Sequence, residues 1–169
     1  IRNASAHHES VSPVPLRRAP LAGVCCHAFA RHALRLRWRR WRRRELVRVD
    51  PATNETECTV DAGGVPVSIA IGAGTVWAVT IAGRALRIEP RTNGITAEAT
   101  IAYPVDLAAD DDAIWVADVY GRLWRIDPDT AATVFTTPVA AGPFSICSAG
   151  SGLWAADNGD GRVLRIDPE

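Results

Sequence analysis

From residue 45 onward, apolar side chains alternate with polar ones or form runs of five or six, separated by Gly, Asp and Pro clusters. Such runs, rich in β-branched and aromatic residues, are typical of strands, and no helical period persists for three turns. The pattern therefore predicts a nearly all-β chain. Between residues 105 and 167 the predicted strands are Val105–Ala109, Ala113–Asp118, Arg122–Asp127, Thr133–Val139, Phe144–Ala149, Leu153–Asp157 and Arg162–Asp167.

The strands belong to a repeat. The motif Arg, apolar residue, acid, Pro occurs four times, and its prolines lie 39, 38 and 40 residues apart. Three tryptophans, Trp77, Trp115 and Trp154, lie 38 and 39 residues apart. A period near forty carried by short strands indicates a β-propeller in which each repeat is one four-stranded blade. The predicted fold is an all-β propeller fragment of about three blades, with one further strand at Leu46–Asp50.

The number of repeats leaves the ring incomplete. Repeats of this kind bury their faces only against neighbouring repeats. Residues 45–169 are therefore expected to be a truncated part of a larger propeller, and the alternative is that several chains assemble into one ring. Either other blades of the same protein or self-association would complete the structure.

Residues 1–44 differ sharply from the repeats. They contain eleven arginines and one glutamate, a net charge of +10, whereas residues 45–169 carry eight arginines and eighteen acids, a net charge of −10. One interpretation is a disordered or non-native segment produced by a shifted reading frame. A second is a degenerate blade or linker, because Trp38 lies 39 residues before Trp77. A third is a basic arm that binds nucleic acid or an anionic membrane.

The residues that recur in every unit favour structural roles. The Arg and the acid of each proline motif lie two positions apart and so share one strand face. The tryptophans are expected to pack between blades with their indole N–H groups bonded to the backbone. The predicted structural residues are Trp77, Trp115, Trp154, Arg87, Arg125, Asp127, Arg165 and Asp167.

The candidate binding residues follow the tryptophan strands. Asp118 and Asp157 occupy equivalent positions, just before the turns Val119-Tyr120-Gly121 and Asn158-Gly159-Asp160-Gly161. Loops from successive blades converge on one face of a propeller, where they bind ligands. The alternative is that these side chains only cap turns. The tentative ligand-binding set is Asp118, Tyr120, Asp157, Asn158 and Asp160, with no metal site and no catalytic residue predicted.

The order of motifs within each repeat resembles that of a known group of propellers. Units of the form Pro-x-x-Ile/Leu-Ala, then Ile-Trp-Val-Ala-Asp, then Leu-x-Arg-Ile-Asp-Pro-x-Thr are similar to the YVTN/NHL-type propellers over residues 45–169. That group includes the virginiamycin B (streptogramin) lyase-like and YncE-like proteins. For the lyases, the resemblance implies a Mg²⁺-assisted ring opening with a histidine base. This chain has no histidine after residue 45 and no lysine.

The functional expectation is a non-catalytic binding or interaction scaffold that contacts a protein or a small ligand through loops on one face. No cofactor is expected, and Mg²⁺ enters only with the alternative, a fragment of a streptogramin-lyase-like metal-dependent enzyme. A third hypothesis is nucleic-acid binding through the Arg-rich arm. The sequence contains no apolar run long enough for a membrane span. An extracytoplasmic bacterial location is the expected compartment.

Overall fold

The computed structural model describes residues 33–34, 44–139, 142–149 and 152–167, all of them in strands, turns or loops. Their strands form four antiparallel sheets, two of four strands and two of three. Sheet I contains β1 (Ala33–Leu34), β2 (Glu45–Val49) and β3 (Thr56–Asp61); sheet II contains β4 (Pro66–Gly72), β5 (Thr75–Thr80), β6 (Arg84–Ile88) and β7 (Ile95–Thr100); sheet III contains β8 (Pro104–Ala109), β9 (Ile114–Asp118), β10 (Arg122–Ile126) and β11 (Thr133–Pro138); sheet IV contains β12 (Pro143–Ala149), β13 (Gly152–Asp157) and β14 (Arg162–Ile166). The predicted all-β blade architecture is confirmed.

Sheet III contacts sheets II and IV through its first strand, because β8 contacts both β4 and β12. Asp106, on β8, is hydrogen-bonded to both of these neighbouring strands. Its Oδ1 accepts a hydrogen bond from Ser68 Oγ at 2.5 Å, and its Oδ2 accepts from Ser145 Oγ at 2.8 Å and Ile146 N at 2.9 Å. A charged acceptor strengthens such bonds. One carboxylate thus links three consecutive sheets, a contact that the sequence pattern did not suggest.

The single strand that the sequence predicts here belongs to the three-stranded sheet I. The expected Leu46–Asp50 strand is β2, which pairs with β3 and, at Arg48 and Val49, with the two-residue β1. The pairing register places Leu34 opposite Arg48. The alignment of Trp38 with the other tryptophans stays a prediction. Trp38 and the rest of segment 1–43, apart from Ala33 and Leu34, lie outside the described residues.

The arginines of the proline motif join neighbouring sheets on their outer side. Arg48 Nη1 donates to the Pro90 carbonyl at 2.7 Å, and Arg87 Nη1 donates to the Asp129 carbonyl at 3.2 Å. In each bond the donor and the acceptor are 42 residues apart in the sequence, and the acceptor lies in the turn at the repeat proline of the next sheet. At both positions the arginine thus bonds a backbone carbonyl of the neighbouring sheet.

The acids of the motif cap their own turns. Asp127 Oδ1 accepts hydrogen bonds from Thr130 N at 2.8 Å, Thr130 Oγ1 at 2.9 Å and Asp129 N at 3.0 Å. These donors, the Thr130 backbone N–H first among them, hold the pKa of the Asp127 carboxyl below its usual value of 3.8 because they stabilise the charged form. Asp50 accepts from Ala52 N in the same way. The acid therefore stabilises the turn that follows its own strand, and the arginine stabilises the contact with the neighbouring sheet.

The tryptophans are not equally buried. Trp77 is 0% exposed and Trp115 is 2% exposed, each between two sheets, whereas Trp154 on sheet IV is 38% exposed. Core packing was expected for all three, and the structure corrects this for Trp154, because no sheet within the described residues covers its face. The expected backbone acceptors were also wrong: Trp77 Nε1 donates to Thr75 Oγ1 and Trp115 Nε1 to Asp110 Oδ2.

The hairpin between β4 and β5 contains a correctable strain. Ala73 and Gly74 both have positive φ, 48° and 68°, between the paired residues Gly72 and Thr75. This is the pattern of a two-residue hairpin turn of the type that prefers Asn-Gly. We expect Ala73→Asn to raise the free energy of unfolding by about 0.5–1 kcal/mol, because asparagine tolerates the left-handed conformation better than alanine. Urea unfolding would measure the change.

A matched control lies in the next turn. Ala82 is exposed and has no positive φ. We expect Ala82→Asn to leave the free energy of unfolding within about 0.5 kcal/mol of the parent. Equal effects of the two substitutions would contradict the role assigned to the backbone at Ala73.

Candidate functional site

Two sets of loops meet at one edge of the sheets. Because the strands alternate in direction, the loops after the second strands and those after the fourth strands lie at the same edge. Backbone hydrogen bonds connect them: Ile101 N donates to Gly83 O at 2.9 Å, Val119 N to Tyr103 O at 3.1 Å, and Asn158 N to Gly142 O at 3.0 Å. We call this edge the loop face. It carries all five predicted ligand-binding residues.

Asp118, at the end of β9, organises the loop face in sheet III. It is 0% exposed. Its Oδ1 accepts from Tyr120 N at 2.8 Å and Arg122 N at 3.1 Å, and its Oδ2 accepts from Arg122 Nε at 2.7 Å and Trp124 Nε1 at 2.8 Å. A buried carboxylate requires such partners. Asp118 therefore holds the turn and has no surface left for a ligand.

Above this buried acid lie two exposed tyrosines. Tyr103 and Tyr120 are 61% and 62% exposed, and their rings meet edge to face with centroids 5.6 Å apart and planes at 88°. The Arg122 guanidinium lies 5.4 Å from the Tyr120 ring centroid and 5.2 Å from that of Trp124. Such distances allow a cation–π attraction. The two rings form an aromatic corner on the loop face.

The backbone at Tyr103 is strained. Its φ is 50°, in the left-handed region that bulky residues seldom adopt, and Pro104 follows it. The equivalent residues in the neighbouring sheets are Val65 and Gly142. Backbone strain of this kind clusters at functional sites in proteins. Sequence reasoning missed Tyr103, although a tyrosine directly before the repeat proline was a visible departure from its two counterparts.

The equivalent loop in sheet IV is differently built. Asp157 is buried, and its Oδ1 accepts from Gly159 N at 2.9 Å and Gly142 N at 3.2 Å. Asn158 and Asp160 are exposed. Of the predicted set, Tyr120, Asn158 and Asp160 thus present side chains to solvent, whereas Asp118 and Asp157 face inward as turn caps.

Few other candidate ligand-binding or metal-binding residues occur in the part of the chain that the structure describes. Within that part, no group of three or more His, Cys, Asp or Glu side chains is placed to hold a metal ion. The acidic hairpin at Asp110 is a turn in which Oδ1 of that residue accepts from Asp112 N and Ala113 N. No helix capable of spanning a membrane occurs among the described residues.

The sequence matches no family model and no curated protein. Solved structures are similar in fold. BamB from Moraxella catarrhalis superposes with a TM-score of 0.66 at 15% identity, over 84% of this chain and 44% of that one. The Pan2 WD40 domain of Neurospora crassa gives 0.64 at 14% identity, over 82% and 46%. Kuenenia stuttgartiensis hydrazine synthase gives 0.64 at 16% identity, over 73% and 40%.

These similarities establish the β-propeller fold. They indicate no activity, because the sequence identity is low and one fold supports many functions. The chain spans less than half the length of each of these structures. It therefore corresponds in extent to part of a propeller of that size.

Proposed function

We propose that this chain is part of a β-propeller binding scaffold whose loop face contacts a protein or a small ligand, with Tyr103 and Tyr120 as the principal contacts. The observation that carries the proposal is the exposed edge-to-face tyrosine pair. Tyrosine buries a large area at small cost in conformational entropy, and it is enriched among residues that dominate binding energy.

The surroundings of the pair support this role. The turn between β9 and β10 is held by four hydrogen bonds to Asp118, so Tyr120 is placed by a rigid support. Exposed Val119 extends the apolar surface beside it, and exposed Ile81 occupies the equivalent position of the preceding turn. Binding surfaces built on rigid elements lose less entropy on association. No feature of this geometry favours the lyase-like enzyme or the nucleic-acid binder.

The proposal predicts a binding loss confined to the tyrosines. A Tyr103→Ala/Tyr120→Ala double variant should weaken the complex with a partner by about 2–4 kcal/mol, or roughly 30-fold to 1,000-fold in Kd. Partners would first be enriched on the immobilised chain and identified by mass spectrometry. Each purified candidate would then be titrated against the parent and variant chains by calorimetry.

Val134→Ala is the matched control, because Val134 is exposed near the start of β11, at the edge of sheet III opposite the loop face. It should bind like the parent. Circular dichroism would verify that the double variant keeps the parent fold. A folded double variant that binds every partner as tightly as the parent would refute the proposed role of the loop face.

A further inference from the structure

The chain contains two Asn-Gly pairs, Asn93-Gly94 and Asn158-Gly159, and the structure places them in different surroundings. In such a pair the backbone nitrogen of the glycine can attack the side-chain amide carbon of the asparagine, because glycine has no Cβ to obstruct the approach. The reaction needs no enzyme. In a folded protein its rate depends on how readily the side chain and the following backbone can move. Nothing in the proposed function of the loop face uses this chemistry.

The first pair is held in place. Asn93 lies in the turn between β6 and β7, where its side chain is half-buried and its Oδ1 accepts a hydrogen bond from Arg48 Nη1 of sheet I at 3.3 Å. Backbone bonds from Asn93 N to Glu89 O at 2.8 Å and from Glu89 N to Gly94 O at 3.0 Å close the turn. Gly94 N donates to Thr92 Oγ1 at 3.3 Å. Attack at Asn93 therefore requires bonds of both the side chain and the glycine nitrogen to break.

The second pair lies on the loop face, in the turn between β13 and β14. The paired residues Asp157 and Arg162 enclose this turn, and the four residues between them are all exposed. Asn158 makes its bond to Gly142 O, at 3.0 Å, through its backbone nitrogen. No hydrogen bond to its side-chain amide occurs among the described residues. The amide can therefore move toward Gly159 N without breaking a bond of its own.

The attacking nitrogen also has a proton acceptor beside it. Gly159 N donates to Asp157 Oδ1 at 2.9 Å. Attack on the amide carbon requires that Gly159 N lose this proton, and a carboxylate within hydrogen-bond distance is placed to receive it. The same oxygen accepts from Gly142 N at 3.2 Å, which fixes its position. The equivalent acceptor at the first pair is the Thr92 hydroxyl, a weaker base than a carboxylate.

We propose that Asn158 is a site of spontaneous deamidation on the loop face, and that Asn93 is protected by the fold. In the first step a bond forms between Gly159 N and Asn158 Cγ, and the bond between Cγ and Nδ2 breaks. The side-chain nitrogen leaves as ammonia, with the proton that Gly159 N has lost. Water then opens the cyclic imide: hydrolysis at the side-chain carbonyl gives aspartate, and hydrolysis at the backbone carbonyl gives isoaspartate.

The modification changes the sheet IV part of the loop face. Either product adds a carboxylate between the buried Asp157 and the exposed Asp160, and isoaspartate also lengthens the backbone of the turn by a methylene group. Like charges so close together repel. This part of the loop face therefore becomes more acidic as the protein ages, while the tyrosine pair of sheet III keeps its chemistry.

Trypsin separates the two pairs for measurement, because it cleaves after arginine. The peptides 92–122 and 126–162 each contain one asparagine and no glutamine, so a gain in mass from amide to carboxyl identifies the residue. The full-length chain is kept in neutral buffer, digested at intervals and analysed by mass spectrometry, with an unincubated sample as background. We expect Asn158 to convert at least about tenfold faster than Asn93, because the turn at Asn93 must open first.

Two controls separate the effect of the fold from that of the sequence. In guanidinium chloride that unfolds the chain, the two rates should agree within about threefold, because the protection of Asn93 is lost. Gly159→Ala should slow conversion of Asn158 by about tenfold or more, since a Cβ obstructs the attack. The backbone at Gly159 has no positive φ, so alanine fits there, and circular dichroism would verify the fold. The rate at Asn93 should not change.

Three results would overturn the proposal. The first is conversion of Asn158 no faster than the background. The second is conversion of Asn93 in the folded chain as fast as that of Asn158. The third is an unchanged rate at Asn158 in a folded Gly159→Ala chain, which would exclude attack by the glycine nitrogen.

Discussion

Replacing Trp77 with alanine is expected to lower the free energy of unfolding by about 3–5 kcal/mol, the largest effect of any single substitution considered for this chain. The indole is fully buried between sheets II and III, within a cluster of apolar side chains from both. Its removal takes away apolar burial and leaves a cavity that the paired strands cannot close. It also removes the donor to Thr75 Oγ1. Urea denaturation followed by circular dichroism measures the change.

Trp154→Ala is the matched control for that prediction. The residue has the same repeat position and the same neighbouring motif, but its side chain is 38% exposed on sheet IV. We expect a loss of about 1 kcal/mol, since less surface leaves water on folding. Equal losses at the two positions would show that a further surface covers Trp154 in solution, and would contradict the burial difference described above.

Asp118→Ala is the second large expected effect, about 2–4 kcal/mol of unfolding free energy. The substitution leaves the donors of Tyr120, Arg122 and Trp124 without their shared acceptor at the buried end of β9. Arg122 is 38% exposed, so water replaces part of its lost contact and limits the cost. Urea unfolding gives the stability, and the binding assay for the loop face should show a parallel loss because Tyr120 loses its support.

Asp112→Ala provides the comparison for Asp118. Asp112 is an exposed aspartate in the hairpin between β8 and β9, and its substitution should change stability by less than about 0.5 kcal/mol. Asp118→Asn separates charge from shape, since the amide keeps one acceptor oxygen but brings an NH₂ group toward the same donors. If Asp118→Ala is no more destabilising than Asp112→Ala, the hydrogen-bond network does not hold the turn.

The strands of this chain were predictable because they depend on neighbouring residues. The predicted Arg122–Asp127 strand and the observed β10 differ by one residue, and the tryptophan strand before it ends at Asp118 in both. Alternation of apolar side chains and the turn preferences of Gly, Asp and Pro act over a few positions. The approximate forty-residue period then implied repeated sheets before any contact was known.

The candidate site was only partly predictable. The loops after the tryptophan strands were located, and Tyr120 among them is exposed. The sequence did not distinguish Asp118, which is buried beneath the loop, from Asp160, which is exposed on it. Both are acids beside a glycine turn. Their difference arises from Arg122 and Trp124, which meet Asp118 only when β9 and β10 pair.

By itself, then, the sequence determined the all-β class, the repeat length, the succession of strands along each repeat and the turns, because these follow from local periodicity and backbone preference. Only the tertiary structure decided that Trp77 and Trp115 are buried whereas Trp154 is exposed, that Asp106 joins three sheets, and that Tyr103 meets Tyr120. These features depend on contacts between side chains 15 to 45 residues apart. Such contacts exist only after the sheets have packed, so equivalent residues in successive repeats acquire different environments and different roles.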